Sequence, residues 1–330
     1  MESAREAVAG YYAERGVEVP ASRILLTAST SEAYSYLFKL LADPGDEVLV
    51  PRPSYPLFEF LAGLESVVVK QYPLRYDGVW HVDFEELERA ASARTRAVVV
   101  VNPNNPTGSF LKREELARLE EFAAARGIAI LSDEVFADYG FDPDAERVRT
   151  LTGNRRALTF SMSGLSKIAG LPQMKLGWIV VSGPGHESAL EKLEWIADTF
   201  LSVGSPVQAG LPRLLRTAEG IRGQIAARTS RNLTGLREKT RGSIANVLGV
   251  EGGWYAILQV PRTQSEEQWT LGLLRDRDVL VQPGFFYDFE VEAFLVVSLL
   301  TEPSVFDEGV GRMLDYILAP PLQIRTSPLT

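Results

Sequence analysis

The sequence lacks several residue types on which large classes of protein depend. It has no cysteine, which excludes disulfides, thiolate metal sites and a thiol nucleophile. Only two histidines, His81 and His186, are present, which argues against a histidine-rich metal centre or a Ser-His-Asp triad. No Gly-x-Gly-x-x-Gly follows the first predicted strand, which argues against a nicotinamide dinucleotide site.

Positive charge and long apolar runs are also scarce. The net charge of −9 argues against non-specific binding to nucleic acid or to an anionic membrane surface. No apolar run approaches the length of a membrane span, and the first residues lack the apolar region of a signal peptide. We therefore expect a cytoplasmic enzyme that acts on small molecules, with neither nucleic acid nor membrane as a partner.

The pattern of the first 210 residues predicts an α/β fold with a largely parallel sheet, because short β-branched runs alternate with longer amphipathic stretches. The predicted strands are Ile24–Thr27, Glu47–Val50, Val67–Gln71, Ala97–Val101, Ile128–Ser132, Ala157–Phe160 and Leu176–Val181. The predicted helices are Ser31–Leu41, Pro56–Leu64, Phe84–Ala91, Arg113–Arg126 and His186–Phe200.

The second part of the chain differs in character. The predicted elements there are a charged helix over Leu211–Arg241, strands over Trp254–Val260, Val279–Val281 and Phe294–Leu300, and a helix over Val305–Leu318. A chain of 330 residues is long for one core, so two domains are expected. We predict a large domain over residues 20–210, a smaller α+β domain formed by residues 1–19 (with a helix over Ser3–Arg15) and 211–318, and a loose tail over residues 319–330.

Three polar clusters follow predicted strands, at the sheet edge where doubly wound proteins bind ligands. Ser29, Thr30 and Ser31 begin a helix, which suits a phosphate or, more simply, an ordinary N-cap. Asn105 lies in a turn of asparagine, proline and glycine, where its amide could donate to a ligand oxygen or serve only the turn. Asp133 could cap a helix or hold a half-buried carboxylate against a cationic ring nitrogen.

Lys167 is the residue of greatest interest, because it lies in a Ser/Gly-rich turn between two apolar runs. A lysine amine forms a Schiff base with an aldehyde when it is held close and can lose its proton. Taken alone, a lysine in such a turn is usually solvated. Asn105, Asp133 and Lys167 each follow a successive strand, however, and that arrangement is more specific than any one of them.

The motifs that contain these residues resemble the class I and II aminotransferases of the pyridoxal-phosphate fold-type I superfamily. They are Asn105-Pro-Thr-Gly108, Ser132-Asp133-Glu134 and Ser163-Gly-Leu-Ser-Lys167, followed by Gly170-Leu-Pro172. The resemblance covers nearly the whole chain and includes Asp43-Pro-Gly-Asp46, Pro51-Arg-Pro-Ser-Tyr55-Pro, Gly252-Gly-Trp254 and Pro283-Gly-Phe-Phe286. It implies a mostly parallel sheet sandwiched by helices, a smaller α+β domain and a homodimer.

The resemblance also implies a role for each site residue in a transfer of an amino group between an amino acid and a 2-oxo acid. Lys167 would bind pyridoxal 5′-phosphate as a Schiff base and shuttle a proton. Asp133 would pair with the ring nitrogen, and Asn105 with the ring's phenolic oxygen. Tyr55, which could equally be a core tyrosine, would stack on the ring. The phosphate would be held by Ser29, Thr30, Ser31, Ser166 and Lys175.

The sequence departs from the family pattern at four places. Phe136 stands where a tyrosine hydroxyl usually bonds the phenolic oxygen, and Lys175 stands where an arginine usually binds the phosphate. Val296 occupies the expected place of the arginine that grips the substrate carboxylate, with Arg52 and Arg262 as conceivable substitutes. The sequence also begins at the first helix, whereas relatives have a preceding arm, and loss of that arm would reduce activity and dimer stability.

These departures keep two alternatives open. One is a pyridoxal-phosphate-dependent lyase, cyclase or decarboxylase, which Val296 motivates. The other is a cofactor-binding homologue with impaired turnover, which the missing arm, Phe136 and Val296 motivate together. The substrate is not predicted, although Trp254, Tyr255, Phe285, Phe286 and Tyr287 could line an apolar pocket or simply belong to the core.

Overall fold

A computed structural model describes residues 1–318 and shows a large mixed sheet. Its strands are β1 (Ile24–Thr27), β2 (Glu47–Arg52), β3 (Val68–Tyr76), β4 (Trp80–Val82), β5 (Thr95–Val101), β6 (Ala129–Asp133), β7 (Thr159–Gly164) and β8 (Gly177–Ser182). They lie in the order β1-β8-β7-β6-β5-β2-β3-β4. The five strands from β7 to β3 are parallel, whereas β8, β1 and β4 pair antiparallel with their neighbours. The mostly parallel sheet predicted from the sequence is confirmed.

Helices cover both faces of this sheet. They are α1 (Glu2–Ala13), α2 (Thr30–Leu41), α3 (Phe58–Leu64), α4 (Phe84–Ala90), α5 (Arg113–Arg126), α6 (Leu165–Ile168) and α7 (His186–Phe200). On one face, α2, α3 and α7 bury Leu37, Leu131 and Phe160 in a common core. On the other face, α4 and α5 pack around Val98 and Ile130. Successive strand residues therefore point into two separate cores, which explains the near-continuous apolar strands.

A smaller antiparallel sheet follows a long helix. The helix is α8 (Ser205–Thr240), and the strands are β9 (Asn246–Val247), β10 (Tyr255–Gln259), β11 (Gln282–Pro283) and β12 (Phe294–Ser298), in the order β11-β12-β10-β9. Two further helices, α9 (Glu266–Arg277) and α10 (Pro303–Leu318), pack with α8 on one face of this sheet around Leu258 and Leu295. Among residues 1–318, no helix combines the length and apolar character needed to cross a bilayer.

The structure differs from the predicted elements in a few places. The strand predicted at Ala157–Phe160 runs instead over Thr159–Gly164, because its polar residues are buried against β8. The strand predicted at Val279–Val281 is replaced by a short pair at Gln282–Pro283, and β4 was not predicted at all. The helix predicted from Pro56 begins at Phe58. The tail predicted over residues 319–330 lies outside the described residues.

The first helix packs beside the edge of the large sheet. Tyr12 of α1 belongs to the same buried cluster as Ile24 of β1, Trp178 of β8 and Leu211 of α8. Arg15, just after α1, donates to the Asp138 carboxylate at 2.7 Å and so ties the helix to the turn that follows β6. The assignment of residues 1–19 to the smaller domain stays a prediction.

A buried carboxylate joins that turn to the body of the large domain. Glu134 directly follows β6 and accepts hydrogen bonds from the Ser132 hydroxyl (2.8 Å), the Thr150 hydroxyl (2.6 Å) and the Leu151 backbone N–H (2.8 Å). Burial nevertheless dominates and raises the pKa of Glu134 to about 7 from an ordinary value of 4.5. The folded protein therefore holds a proton here that the unfolded chain releases at lower pH.

We expect Glu134 to make folding stability depend on pH. Because the pKa is raised in the folded state, the free energy of unfolding should fall by about 3 kcal/mol between pH 4.5 and pH 7 through this group. Glu134→Gln mimics the protonated carboxyl and should lose this component in urea unfolding at pH 5 to 8. The exposed Glu146→Gln is the control, and an equal pH dependence in wild type and Glu134→Gln would contradict the assignment.

Candidate functional site

Three neighbouring strands bring the predicted polar residues to one edge of the large sheet. Asp133 is the last residue of β6, Asn105 lies just beyond the end of β5, and Lys167 lies on α6, which directly follows β7. The strands are parallel and adjacent, in register from Val101 to Asp133 and from Asp133 to Met162. Their carboxyl ends must therefore meet, as expected for the ligand-binding edge of such a sheet.

Asp133 is partly buried and held by two donors. Its Oδ2 accepts from the Tyr34 hydroxyl at 3.3 Å, and its Oδ1 accepts from the Val135 backbone N–H at 3.2 Å. Burial raises the pKa of Asp133 to about 6, although these hydrogen bonds and the nearby Lys167 lower it. Burial thus destabilises the charged form of Asp133 more than its neighbours stabilise it. An additional cation beside the carboxylate would therefore be favourable.

Lys167 is the neighbouring amine. Burial lowers its pKa, and the negative charge of Asp133 opposes that shift. The Nζ atom lies 5.1 Å from the ring centroid of Trp254 and 5.7 Å from that of Phe136. The Tyr139 hydroxyl donates to the backbone oxygen of Lys167 at 2.5 Å and holds the short helix in place. A partly desolvated amine of this kind is easier to deprotonate, as a nucleophile must be.

Asn105 is buried at the next strand end. Among the described residues its Oδ1 has no hydrogen-bond partner. Buried polar atoms are rarely left unpaired, so an unsatisfied amide beside Asp133 and Lys167 points to a ligand. The turn is fixed by Gly108, whose φ is +68° and whose added Cβ would lie 2.4 Å from the Gly252 oxygen. Only glycine permits this approach between the turn and the segment that leads to Trp254.

The predicted phosphate residues lie around the start of α2. Ser29 caps the helix by accepting from the Glu32 backbone N–H at 3.2 Å, and Thr30 and Ser31 form its first turn. The first N–H groups of a helix have no partner inside it, so they are available to an anion. Gly177 of β8 packs against this point, since its added Cβ would lie 3.3 Å from the Ser29 carbonyl carbon.

Ser166 and Lys175 flank that position less directly. Ser166 follows Gly164, which pairs with Gly177 across β7 and β8. Lys175 is exposed, adopts a left-handed φ of +48° and makes no side-chain hydrogen bond or ion pair within residues 1–318. The structure therefore brings Ser29, Thr30, Ser31 and Ser166 to one region. Within residues 1–318, no hydrogen bond or ion pair fixes the position of the Lys175 ammonium group.

Tyr55 and Val296 lie on the side of the site that faces the smaller sheet. Tyr55 is 48% exposed and close enough to Tyr255 and Tyr287 to influence their pKa values. It is therefore not a core tyrosine. Val296 of β12 is buried in an apolar cluster with Trp80, Tyr287 and Phe294. The position of the expected carboxylate-binding arginine is thus occupied by an apolar surface.

The two arginines considered as substitutes differ in position. Arg52 ends β2 at the same sheet edge, and its Nη2 is paired with Glu290. Its Nε is buried without a partner among the described residues. Arg262 is exposed and follows the last residues of β10. The opposite end of that strand begins at Tyr255, next to Trp254. Only Arg52 lies where a substrate at this edge could be reached.

A separate cavity of about 640 Å³ lies between α1, the turn after β6 and α8. Its lining contains Arg15, Glu134, Asp138 and Arg222, but neither Lys167 nor Asn105. Cavity size alone would therefore misplace the site, whose identification depends on the groups at the strand ends.

Sequence reasoning missed Tyr34 and Tyr139 and named Trp254 only as a residue that could line an apolar pocket or belong to the core. Tyr34 belongs to α2, and the sequence carries no sign that this helix crosses the end of β6. Tyr139 contacts Lys167 through a turn that closes only in three dimensions. The Gly252-Gly-Trp254 motif was the one available signal for Trp254, since glycines often mark a close approach of two backbone segments.

Comparison with known proteins places this geometry in a family. The family model described as aminotransferase class I and II matches residues 1–312. The chain is 25% identical over 328 residues to the glutamate-pyruvate aminotransferase AlaA of Haemophilus influenzae, covering 96% of this chain and 80% of the relative. It is 28% identical over 329 residues to human tyrosine aminotransferase, covering 95% of this chain and 71% of the relative.

Solved structures show the same fold. Tyrosine aminotransferase from Leishmania infantum superimposes with a TM-score of 0.86 at 19% identity, covering 96% of this chain and 81% of that one. Alanine aminotransferase from Pyrococcus furiosus gives a TM-score of 0.85 at 23% identity, covering 96% and 82%. At such identities the likeness establishes the fold, and the family model establishes the membership. This chain belongs to the class I and II aminotransferase family.

Proposed function

We propose that this protein uses pyridoxal 5′-phosphate to transfer an amino group between an amino acid and a 2-oxo acid. The observation that carries the proposal is the pairing of Lys167 and Asp133 at adjacent strand ends, where burial lowers the pKa of the amine and raises that of the acid. An amine that readily loses its proton can attack an aldehyde, and a carboxylate in need of a cation suits a protonated ring nitrogen.

The residues at the site fit this cofactor. When bound, pyridoxal phosphate serves as an electron sink for the carbon that bears the amino group. Lys167 would form the covalent bond to it and afterwards move the proton. Asp133, oriented by Tyr34, would bind the ring nitrogen, and the side-chain amide of Asn105 would donate from its Nδ2 to a ring oxygen. Phe136 would contribute an apolar wall, and Tyr55 would stack on the ring.

The start of α2 supplies a place for the phosphate. Ser29, Thr30 and Ser31 present hydroxyls and backbone N–H groups there, and the helix dipole favours a negative charge. Ser166 would add a hydroxyl. The exposed Lys175 would add a positive charge without the bidentate geometry of an arginine.

We propose Arg52 as the anchor for the substrate carboxylate. It ends β2 at the sheet edge that carries Asn105 and Asp133, and its Nε is buried without a partner among the described residues. Its pairing with Glu290 would have to exchange for the substrate. The relatives named glutamate-pyruvate and tyrosine aminotransferase suggest glutamate, alanine and tyrosine as the first amino donors to assay.

A homodimer is supported by apolar side chains exposed on one side of the large sheet. Phe60 and Leu64 of α3, Trp195 of α7 and the adjacent Leu201 are between 72% and 86% exposed. Both helices pack against α2, so these side chains lie on the same side of the domain. Large apolar side chains exposed on one side of a domain commonly mark a subunit interface. The cytoplasmic location expected from the sequence stays a prediction.

We expect the half-reaction to depend on Lys167. The protein with added pyridoxal phosphate should show a visible absorption band that fades with certain amino acids as the matching 2-oxo acid appears. Lys167→Ala should lack the band and lose turnover by at least about 10³-fold, since one group supplies both covalent and proton-transfer catalysis. The exposed Lys70→Ala should behave as wild type. Formation of 2-oxo acid by Lys167→Ala at the wild-type rate would contradict the assignment.

The buried Val296 favours one alternative, a lyase, cyclase or decarboxylase that uses the same cofactor. The reaction of the protein and pyridoxal phosphate with amino acids distinguishes this alternative from amino-group transfer. Irreversible product formation without the amino form of the cofactor would support the alternative. A band that forms but never fades with any donor would instead indicate a cofactor-binding homologue with impaired turnover.

We expect Tyr34 to act through Asp133, because its hydroxyl donates to that carboxylate. Tyr34→Phe removes one hydrogen bond to a charged group and should lower kcat/KM by about 10- to 100-fold. Asp133→Asn should have a larger effect because it removes the charge itself. Tyr72→Phe is the control, since this equally buried tyrosine donates instead to the Val99 backbone oxygen. Equal rates for Tyr34→Phe and Tyr72→Phe would show that Tyr34 does not act through Asp133.

The exposed apolar surface of α3 and α7 makes a prediction about assembly. Leu64→Glu combined with Trp195→Glu should convert a dimer to a monomer in light scattering at micromolar concentration, because two charges would be buried unpaired. Ile244→Glu alters an exposed apolar residue that follows α8 and should leave the mass unchanged. A dimer that survives the double substitution would place the interface elsewhere.

A further inference from the structure

Trp254 carries a buried donor that the structure leaves without a partner. The side chain is 7% exposed, and its Nε1 makes no hydrogen bond among residues 1–318. Its ring lies 5.1 Å from the Lys167 Nζ and meets the Phe136 ring edge-on at 5.2 Å. Buried indole N–H groups normally find an acceptor, so an unpaired one next to the reactive amine indicates a ligand atom.

The position of this ring is fixed from several sides. The Gly253 backbone N–H donates to the Tyr139 oxygen at 2.8 Å, and the Leu299 N–H donates to the Trp254 oxygen at 2.8 Å. The Tyr139 ring packs edge-on against Trp254 at 5.1 Å. Gly252 also fits closely, since an added Cβ would lie 2.6 Å from the Tyr139 oxygen. The indole is therefore held beside Lys167 by backbone contacts rather than by chance packing.

We propose that the Trp254 indole N–H is a cofactor-binding donor that bonds the ring oxygen of pyridoxal phosphate. This inference rests on the proposed function. In pyridoxal, the ring carbon that carries the aldehyde group and the ring carbon that bears the hydroxyl oxygen are adjacent. The Trp254 ring, whose centroid lies 5.1 Å from the Lys167 Nζ, would consequently lie near that oxygen as well. Phe136, the other ring near the amine, has no polar atom to offer, so Trp254 is the donor available on this side.

Such a donor should be visible in the acid–base behaviour of the bound state. With the cofactor bound, the Lys167 nitrogen would share a proton with the ring oxygen. A hydrogen bond from Trp254 stabilises the oxygen as an anion and favours release of that proton. Removing the donor should therefore raise the pH midpoint of the spectral change, by about one pH unit for one hydrogen bond to a charged group.

The experiment combines a variant with a cofactor analogue. Trp254→Phe keeps an apolar ring and should bind pyridoxal phosphate about tenfold more weakly, with the midpoint raised. It should bind an analogue that lacks the ring hydroxyl as well as wild type does. Trp80→Phe is the matched control, because Trp80 also has a buried Nε1 without a partner among the described residues but lies in the cluster around Val296.

The outcomes separate this inference from the function on which it rests. If wild type shows no Lys167-dependent band, the proposed function fails. If wild type binds the cofactor and Trp254→Phe shifts neither affinity nor midpoint, only the inference fails. An equal loss of affinity for the cofactor and the analogue would assign Trp254 a purely steric role and overturn the inference. If Trp254→Phe does not fold, Trp254→His is the second variant. It keeps a ring N–H and should therefore retain part of the affinity for pyridoxal phosphate and show a smaller rise in the pH midpoint.

Discussion

The site depends on two groups of opposite charge that are partly withdrawn from water at one edge of a parallel sheet. Taking a charge out of water is unfavourable unless it is paired. Lys167 and Asp133 compensate each other only in part, because burial still lowers the pKa of the first and raises that of the second. The fold thus maintains an amine with a lowered pKa beside a carboxylate with a raised pKa. A cationic ring with an aldehyde satisfies both.

The surrounding structure holds this pair by contacts that cross the molecule. Tyr34 reaches Asp133 from α2, and Tyr139 reaches the Lys167 backbone from the turn after β6. The same turn bonds Gly253, and Gly108 packs on Gly252. The segment before β10 is therefore locked to the ends of β5 and β6. This arrangement explains why the motifs of the sequence contain so many glycines near polar residues.

Strand positions, and with them the sheet edge at which the candidate residues lie, were largely predictable, because burial on both faces leaves long apolar runs such as Ala97–Val101. Strand β7 was displaced in the prediction, since its serines and glycine are buried although their chemistry is typical of loops. The antiparallel β4 is only three residues long and carries no periodicity. Local pattern is a poor guide where a short segment depends on its neighbour.

Contacts between distant segments were not predictable from spacing. Tyr34 and Trp254 reach the site from a helix and from the segment before β10, far from Asp133 and Lys167 in the sequence, and their ring orientations follow from packing alone. Val296 was expected at the position of the missing arginine, and it lies buried among apolar side chains. The sequence could name Arg52 and Arg262 only as conceivable substitutes for that arginine. The choice of Arg52, at the end of β2, required the three-dimensional structure.

The central claim is that Lys167 holds the cofactor covalently. The most direct measurement is mass spectrometry of peptides after the protein has been incubated with pyridoxal phosphate and reduced with borohydride, which converts a Schiff base to a stable secondary amine. We expect one modified lysine, Lys167, at near-stoichiometric yield, and protection of that lysine by a reactive amino donor. Modification spread over exposed lysines such as Lys70 and Lys175, with Lys167 unmodified, would contradict it.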